Sequence, residues 1–429
     1  MQASMVCPIV AGAVHLMPNQ ENILFLHIPK TAGTSLKRYL SHRFAAKQCL
    51  LDPTPQALRE AHLDDYALVA GHFDSDVAGR YRSPPLVVTS LRNPVDRAIS
   101  AYNYQRTPRL EIEIRSIAER IGIDVAAQVL DEIRRLNDCA NLADFLRREP
   151  ELAQKNLGNV QTRVLAGAAA AQAHARDPRQ LLAKAKENLR RCAGILLTER
   201  MPESLAGLDR LLGPDEFGAL THDNVTPDQA VSVPLDPMLA AALAELTDLD
   251  LELYRFAEQL WHERLPSRHG TIDQVPRLED RLPDATDFWF DQPIRGRGWH
   301  IREKAADHWY CWSDQLATLH LALDTAGSHV LRFWVDYAAS REALHGLEVR
   351  VNGVPVGSVP TETGDRFLVE TRVPAAAVSA SAGRVCIEFR VPHTVRPSDR
   401  DPKNPDTRRL GIALSRLQLL RTSDGHADG

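Results

Sequence analysis

The chain has 429 residues, 44% of them hydrophobic and 25% charged, which is ordinary for a soluble globular protein with room for two or three domains. A disordered tail and a small disulfide-stapled scaffold are both excluded. The net charge of −5 argues against wholesale nucleic-acid binding, so any anionic ligand needs a local positive site.

Residues 1–17 are mildly apolar without a basic start, and read as a ragged leader, with a signal peptide as the lesser alternative. The first strand is 22–27 (NILFLH), a nearly continuous apolar run suited to the middle of a parallel sheet. It feeds the segment from Ile28 to Ser35 and then a helix over about 35–44. Further strands are expected at 66–70, ending in Gly71 and His72, at 86–91, ending in Arg92, and at 194–198. Pro94 suits the first turn of a helix continuing over 95–105. Strand, turn and helix in repetition predict an α/β fold with a mostly parallel sheet. In such sheets ligands bind outside the carboxyl ends of the strands, where three of these strands carry polar residues.

Residues 111–149 are charged and helical in period, and are expected to form two helices covering the site. Residues 177–191 and 236–263 are read as amphipathic helices, the second closing the domain at about 264. Residues 265–287 are rich in Pro, Asp and Arg and read as a linker. From 288 to 422 the helical period disappears, and six or more short strands without helices predict a β-sandwich. Asn352 and Gly353 mark a tight hairpin within it.

The cysteines Cys7, Cys49, Cys139, Cys192, Cys311 and Cys386 are widely spaced, with no CxxC pair. They read as free thiols of a reducing compartment, and a structural zinc site is not expected. No acidic metal-ligand cluster is evident. No run of about 18 apolar residues offers a membrane span.

Lys30, Thr31, Ala32, Gly33, Thr34 and Ser35 follow a buried strand and open a helix. Gly33 allows close backbone approach, Thr34 and Ser35 bring hydroxyls, and Lys30 brings charge. The free N–H groups and dipole of the helix start favour an anion there. The pattern is not a Walker A loop, because its lysine precedes the glycine. A merely capped helix start is the competing reading. Arg92, at a strand end, is the natural partner of a phosphate dianion. Ser100 lies about two turns into the following helix, and Arg97 is either a helper or a surface ion-pairing residue.

Together, HIPKTAGTSL and, about 60 residues on, LRNPVDRAISAYNY resemble the sulfotransferase superfamily, in its carbohydrate branch with the heparan sulfate 2-O-sulfotransferases. Residues 156–167, 197–212 and 249–257 are similar to later blocks of that family, so the resemblance spans about 20–264. It implies a P-loop-like three-layer α/β domain that uses 3′-phosphoadenosine 5′-phosphosulfate as donor. Lys30 to Ser35 would hold the 5′-phosphosulfate, and Arg92 and Ser100 the 3′-phosphate. His72, in the Gly-His pair after the second predicted strand, would be the catalytic base; histidine suits that task near neutral pH. Asp74 or Asp76 would orient it or replace it. Lys30 would stabilise charge on the bridging oxygen, with no metal required.

Trp289, Trp299, Trp309, Trp312 and Trp334 cluster in the C-terminal region, leaving one of the six tryptophans elsewhere. Filling a sandwich core is the favoured reading, and a sugar-stacking surface the alternative. The expected activity is sulfation of a sugar or glycan hydroxyl, in a bacterial cytoplasm, with the sandwich positioning the acceptor. The rivals are a non-catalytic nucleotide- or glycan-binding protein and a P-loop kinase.

Overall fold

The computed structural model describes residues 22–174, 176–213, 236–264, 285–324, 327–378 and 383–422. The leader reading at 1–17 and the linker reading at 265–284 fall outside them, and residues 285–287 already belong to a strand.

Five parallel strands form the first sheet: β1 Ile23–Leu26, β2 Cys49–Leu51, β3 Leu68–Gly71, β4 Leu86–Leu91 and β5 Gly194–Leu197, in the order β2-β3-β1-β4-β5. Strand β1 is buried on both faces. Ile23 and Phe25 pack with Leu36 and Leu40 of helix α1 (Gly33–His42), while Leu24 and Leu26 pack with Leu189, Leu253 and Trp261 on the other side. This is the α/β arrangement the apolar runs predict. Because β1 lies between β3 and β4, the carboxyl ends carrying Ile28–Ser35, His72 and Arg92 are neighbours.

In the α/β region three element readings need correction. Strand β2 was not expected; it is only three residues long, too short for a periodicity signal. The cover over 111–149 is four helices rather than two: Pro108–Ser116, Ala118–Ile121, Ile123–Asn137 and Leu142–Arg148. Gly122, at φ 99°, separates the second from the third. The expected helix over 236–263 is two, Pro237–Leu246 and Asp248–Arg264, divided at Thr247.

The C-terminal region is antiparallel. One sheet contains β6 Ala285–Trp289, β7 Glu303–Lys304, β8 Trp309–Trp312, β10 His329–Ala338, β13 Pro360–Thr363, β14 Arg366–Val373 and β16 Ile412–Arg421. The other contains β9 Leu316–Ala322, β11 Glu348–Val351, β12 Val354–Val356 and β15 Arg384–Arg390. Their inward residues, among them Phe333, Val335, Ile387, Phe389 and Leu417, share one core. Asn352 and Gly353 form the β11–β12 turn, both at positive φ as a type I′ turn requires. The region is not helix-free: Arg341–His345, Ala375–Val378 and Pro397–Arg400 are short helices.

The tryptophans divide. Trp299 is buried in the core, where its Nε1 donates to the Thr318 carbonyl at 2.8 Å. Trp289, Trp309, Trp312 and Trp334 are half-buried and outside that core, which corrects the core-filling expectation for those four. Trp289 and Trp334 flank the Arg416 guanidinium at 4.5 and 5.0 Å, and Asp287 pairs with the same group.

The two regions meet at the C-terminal end of α1. The buried Arg302 donates to the carbonyls of Ser41, at 2.6 Å, and Phe44, at 2.8 Å. His42 Nε2 lies 2.9 Å from the His300 carbonyl, and Ile294 N donates to His42 O at 2.8 Å. A second contact joins Arg109 to Thr407, within the polar segment 397–409.

Candidate active site

Two residues of the Lys30–Ser35 loop have left-handed backbones, Lys30 at φ 70° and Ala32 at φ 63°. Neither is glycine, so the conformation costs roughly 1–3 kcal/mol per residue and is held by its surroundings. Backbone of this kind turns successive N–H groups into an anion-binding concavity. Ala32 caps α1 with no side-chain hydrogen bond, and the first turn holds no acid. The N–H groups of that turn therefore lack an internal side-chain acceptor.

Gly33 serves a different purpose from a left-handed turn. A Cβ placed on it would lie 1.8 Å from the His27 ring. The loop is folded against that ring, and glycine is the residue that permits the approach. Thr31 is fully buried; its hydroxyl lies 2.8 Å from the Ile28 carbonyl and 2.7 Å from Ser90 Oγ on β4. Its side chain thus pins the loop, and the accessible hydroxyls are those of Thr34 and Ser35. Lys30 Nζ sits 4.4 Å over the ring of Tyr104, near the end of the helix that follows β4.

Helix α2 is Pro55–Glu60, and α3, which follows β4, is Pro94–Gln105. Pro94 occupies its first turn and Asn93 caps it, accepting from Val95 N and Asp96 N at 3.1 and 3.3 Å. Arg92 Nη1 donates to the Lys30 carbonyl at 3.4 Å, joining the two predicted segments. Its backbone is gripped at both polar atoms by the buried Gln161 side chain: Arg92 N donates to Oε1 at 3.0 Å, and Nε2 donates to Arg92 O at 2.9 Å. Ser100 is half-buried and, four residues before Tyr104, shares the helix face that reaches Lys30. Arg97 is not a surface residue. It is buried, donates to Leu157 O at 2.8 Å, and burial lowers its pKa to about 10.

His72 is exposed at the end of β3. Its Nδ1 lies 2.9 Å from the His27 carbonyl, which only accepts, so Nδ1 carries the proton and donates. Nε2 is left with a free lone pair. The His72 ring stacks on that of His27 with centroids 4.1 Å apart. Desolvation lowers the His72 pKa; Asp52 opposes that shift, and Lys37 adds to it. His27 is driven to about 2, chiefly by burial and by the charges of His72, Lys37 and Lys30, so it is neutral. The imidazole at position 72 is thus kept unprotonated near neutrality, oriented and open at one nitrogen.

Asp74 and Asp76 hold backbone instead of the histidine. Asp74 accepts from Asp76 N at 2.9 Å, and Asp76 accepts from Ala169 N at 2.9 Å. The carboxylate that acts on His72 is Asp52, at the end of the unexpected β2, which is ion-paired to Lys37 of α1. Sequence reasoning missed Asp52, Lys37, His27 and Gln161. Two signals were available: Gln161 lay inside a block already noted for its resemblance, and His27 opens the segment HIPKTAGTSL.

Among the described residues no cluster of His, Cys, Asp and Glu suits a metal ion, and no helix is long and apolar enough to cross a membrane.

No family model matches the chain, and no curated protein matches it. Solved structures do. A family 35 carbohydrate binding module from Clostridium thermocellum aligns over 32% of this chain and 98% of its own, at 11% identity and TM-score 0.22. An exo-beta-1,3-galactanase from Phanerochaete chrysosporium aligns over 32% of this chain and 29% of its own, at 13% identity and TM-score 0.21. A family GH115 4-O-methyl-alpha-glucuronidase aligns over 72% and 41%, at 10% identity and TM-score 0.21. Likenesses of this size assign neither a family nor an activity to the chain.

Proposed function

We propose that the α/β region is a P-loop-like sulfotransferase domain that moves a sulfuryl group from 3′-phosphoadenosine 5′-phosphosulfate to a sugar or glycan hydroxyl. The observation that carries this reading is the meeting of three strand ends. The capless α1 start with Lys30, the clamped Arg92, and His72 with a free Nε2 lie at the carboxyl ends of β1, β4 and β3.

The α1 N–H groups, Lys30, Thr34 and Ser35 suit the 5′-phosphosulfate, while Arg92 and Ser100 suit the 3′-phosphate. The acceptor oxygen attacks sulfur and gives its proton to His72 Nε2. The new S–O bond forms as the bridging S–O bond breaks, and the electron pair leaves on the 5′-phosphate of adenosine 3′,5′-bisphosphate. Positive charge at Lys30 stabilises that leaving group. Positioning and electrostatics supply the catalysis, as in phosphoryl transfer.

Calorimetry with adenosine 3′,5′-bisphosphate, ATP and 5′-AMP tests the donor site. The bisphosphate is expected to bind, 5′-AMP to bind far more weakly, and Arg92→Ala to lose at least tenfold. Equal binding of ATP, or binding of none, overturns the reading.

A further inference from the structure

Outside the α/β site, the sandwich contains a cavity of about 220 Å³ lined by Asp307, His308, Asp336, Tyr337, Asp365 and Arg366, with Ala305 and Ala306. Three elements build it. The β7–β8 turn supplies Asp307 and His308, and the β13–β14 turn supplies Asp365 and Arg366. These hairpins come from opposite edges of one sheet, yet their tips meet, with Arg366 Nη2 3.0 Å from His308 Nδ1. Between them β10 breaks its ladder with β16. Trp334 pairs with Arg416, Val335 with Leu414 and Tyr337 with Ala413, so Asp336 and Ser415 have no partner in the ladder. A bulge of this kind re-aims a side chain.

The re-aimed side chain is Asp336. It is 6% exposed, and neither carboxylate oxygen has an aligned hydrogen-bond partner. His308 Nε2 and Arg366 Nε each lie 3.0 Å from Oδ1, close enough for attraction but off the hydrogen-bonding axis. Burial raises the Asp336 pKa, and the neighbouring Ser415 hydroxyl, Arg366 and His308 offset only part of that rise. A buried carboxylate held by charge without aligned donors is poorly compensated. Aligned O–H donors entering the cavity would remedy that.

The wall beside the cavity is aromatic. Tyr337 is 47% exposed, Trp312 stacks on it with centroids 6.1 Å apart, and Tyr310 meets it edge-on at 5.1 Å. We propose that this cavity is a glycan subsite: it takes one neutral, hydroxyl-rich sugar ring, with Asp336 accepting from its hydroxyls, Arg366 donating to them, and Tyr337 packing against its C–H face. The size fits one ring, being below the roughly 300–1,000 Å³ of sites for larger ligands. Three carboxylates against one guanidinium select a neutral ring over an anionic one. The subsite goes beyond the proposed sulfuryl transfer and does not depend on it.

The test is saturation-transfer NMR on the full chain with glucose, galactose, N-acetylglucosamine and glucuronate, and calcium chloride as a separate arm. At least one neutral sugar is expected to bind and glucuronate to bind more weakly. Asp336→Asn and Tyr337→Ala are each expected to weaken binding at least tenfold; Tyr337 is half-exposed, so its variant keeps the core intact. Binding of calcium without any sugar, binding of no sugar, or sugar binding indifferent to Tyr337→Ala overturns the proposal. Binding of adenosine 3′,5′-bisphosphate, measured on the same samples, separates failure here from failure of the donor site.

Discussion

At the scale of single residues, the Lys30–Ser35 loop, the proposed donor site, depends on a ring and an absent side chain. The His27 imidazole occupies the space where any Cβ at position 33 would project. Gly33→Ala is therefore expected to displace the loop and reduce bisphosphate binding at least tenfold, measured by calorimetry. It is also expected to cost about 1–3 kcal/mol in thermal stability through overpacking. His72 makes a second case, because its charge state is set from outside. Catalysis by a base requires the neutral imidazole, so activity falls as pH drops through its pKa. Asp52 raises that pKa against the larger effect of desolvation. Removing the carboxylate charge therefore moves the acid limb of the rate profile to lower pH. Asp52→Asn is expected to show this shift in kcat/KM, and an unmoved limb would show that Asp52 does not act on the base.

At the scale of elements, much of the site was legible because it sits on strong signals. The run NILFLH announces a buried strand, and Pro94 announces a helix start; both elements form where expected. The rest was hidden for identifiable reasons. Strand β2 has half-buried residues and three positions, so no period marks it. The Lys37–Asp52 pair joins α1 to the end of that strand, and nothing local in either segment forecasts it. The 111–149 cover was mis-divided because Gly122 sits inside a continuous helical period. For Arg97 the sequence allows either a helper at the site or a surface ion-pairing residue, and the α3 face that carries it is buried against Leu157. The Gln161 clamp belongs to this scale, since it ties helix Val160–Ala166 to the end of β4. Gln161→Leu leaves the Arg92 N–H without its acceptor. It is expected to weaken bisphosphate binding about tenfold while 5′-AMP binding stays unchanged; calorimetry on both ligands reads the difference.

At the scale of the whole molecule, the composition shift near residue 265 separates two hydrophobic cores, but hydrogen bonds cross between them. Arg302 places a guanidinium at the negative end of the α1 dipole and donates there to the backbone carbonyls of Ser41, Phe44 and Asp291. Arg302→Ala leaves the carbonyls of Ser41 and Phe44 without that donor. It is expected to lower stability by about 1.5–3 kcal/mol, read by denaturant titration, and to weaken bisphosphate binding through α1. The helix whose first turn faces the donor loop is thus finished at its other end by a residue more than 250 positions away in sequence. A fragment stopping at Arg264 would have its whole parallel sheet and every candidate donor-binding residue, yet the carbonyls of Ser41 and Phe44 would lack the Arg302 donor. The composition break marks where the chain changes architecture, while the hydrogen bonds that finish α1 extend across it. Exchanging the sandwich for that of another protein would therefore change what finishes α1 even if no residue before 265 were changed.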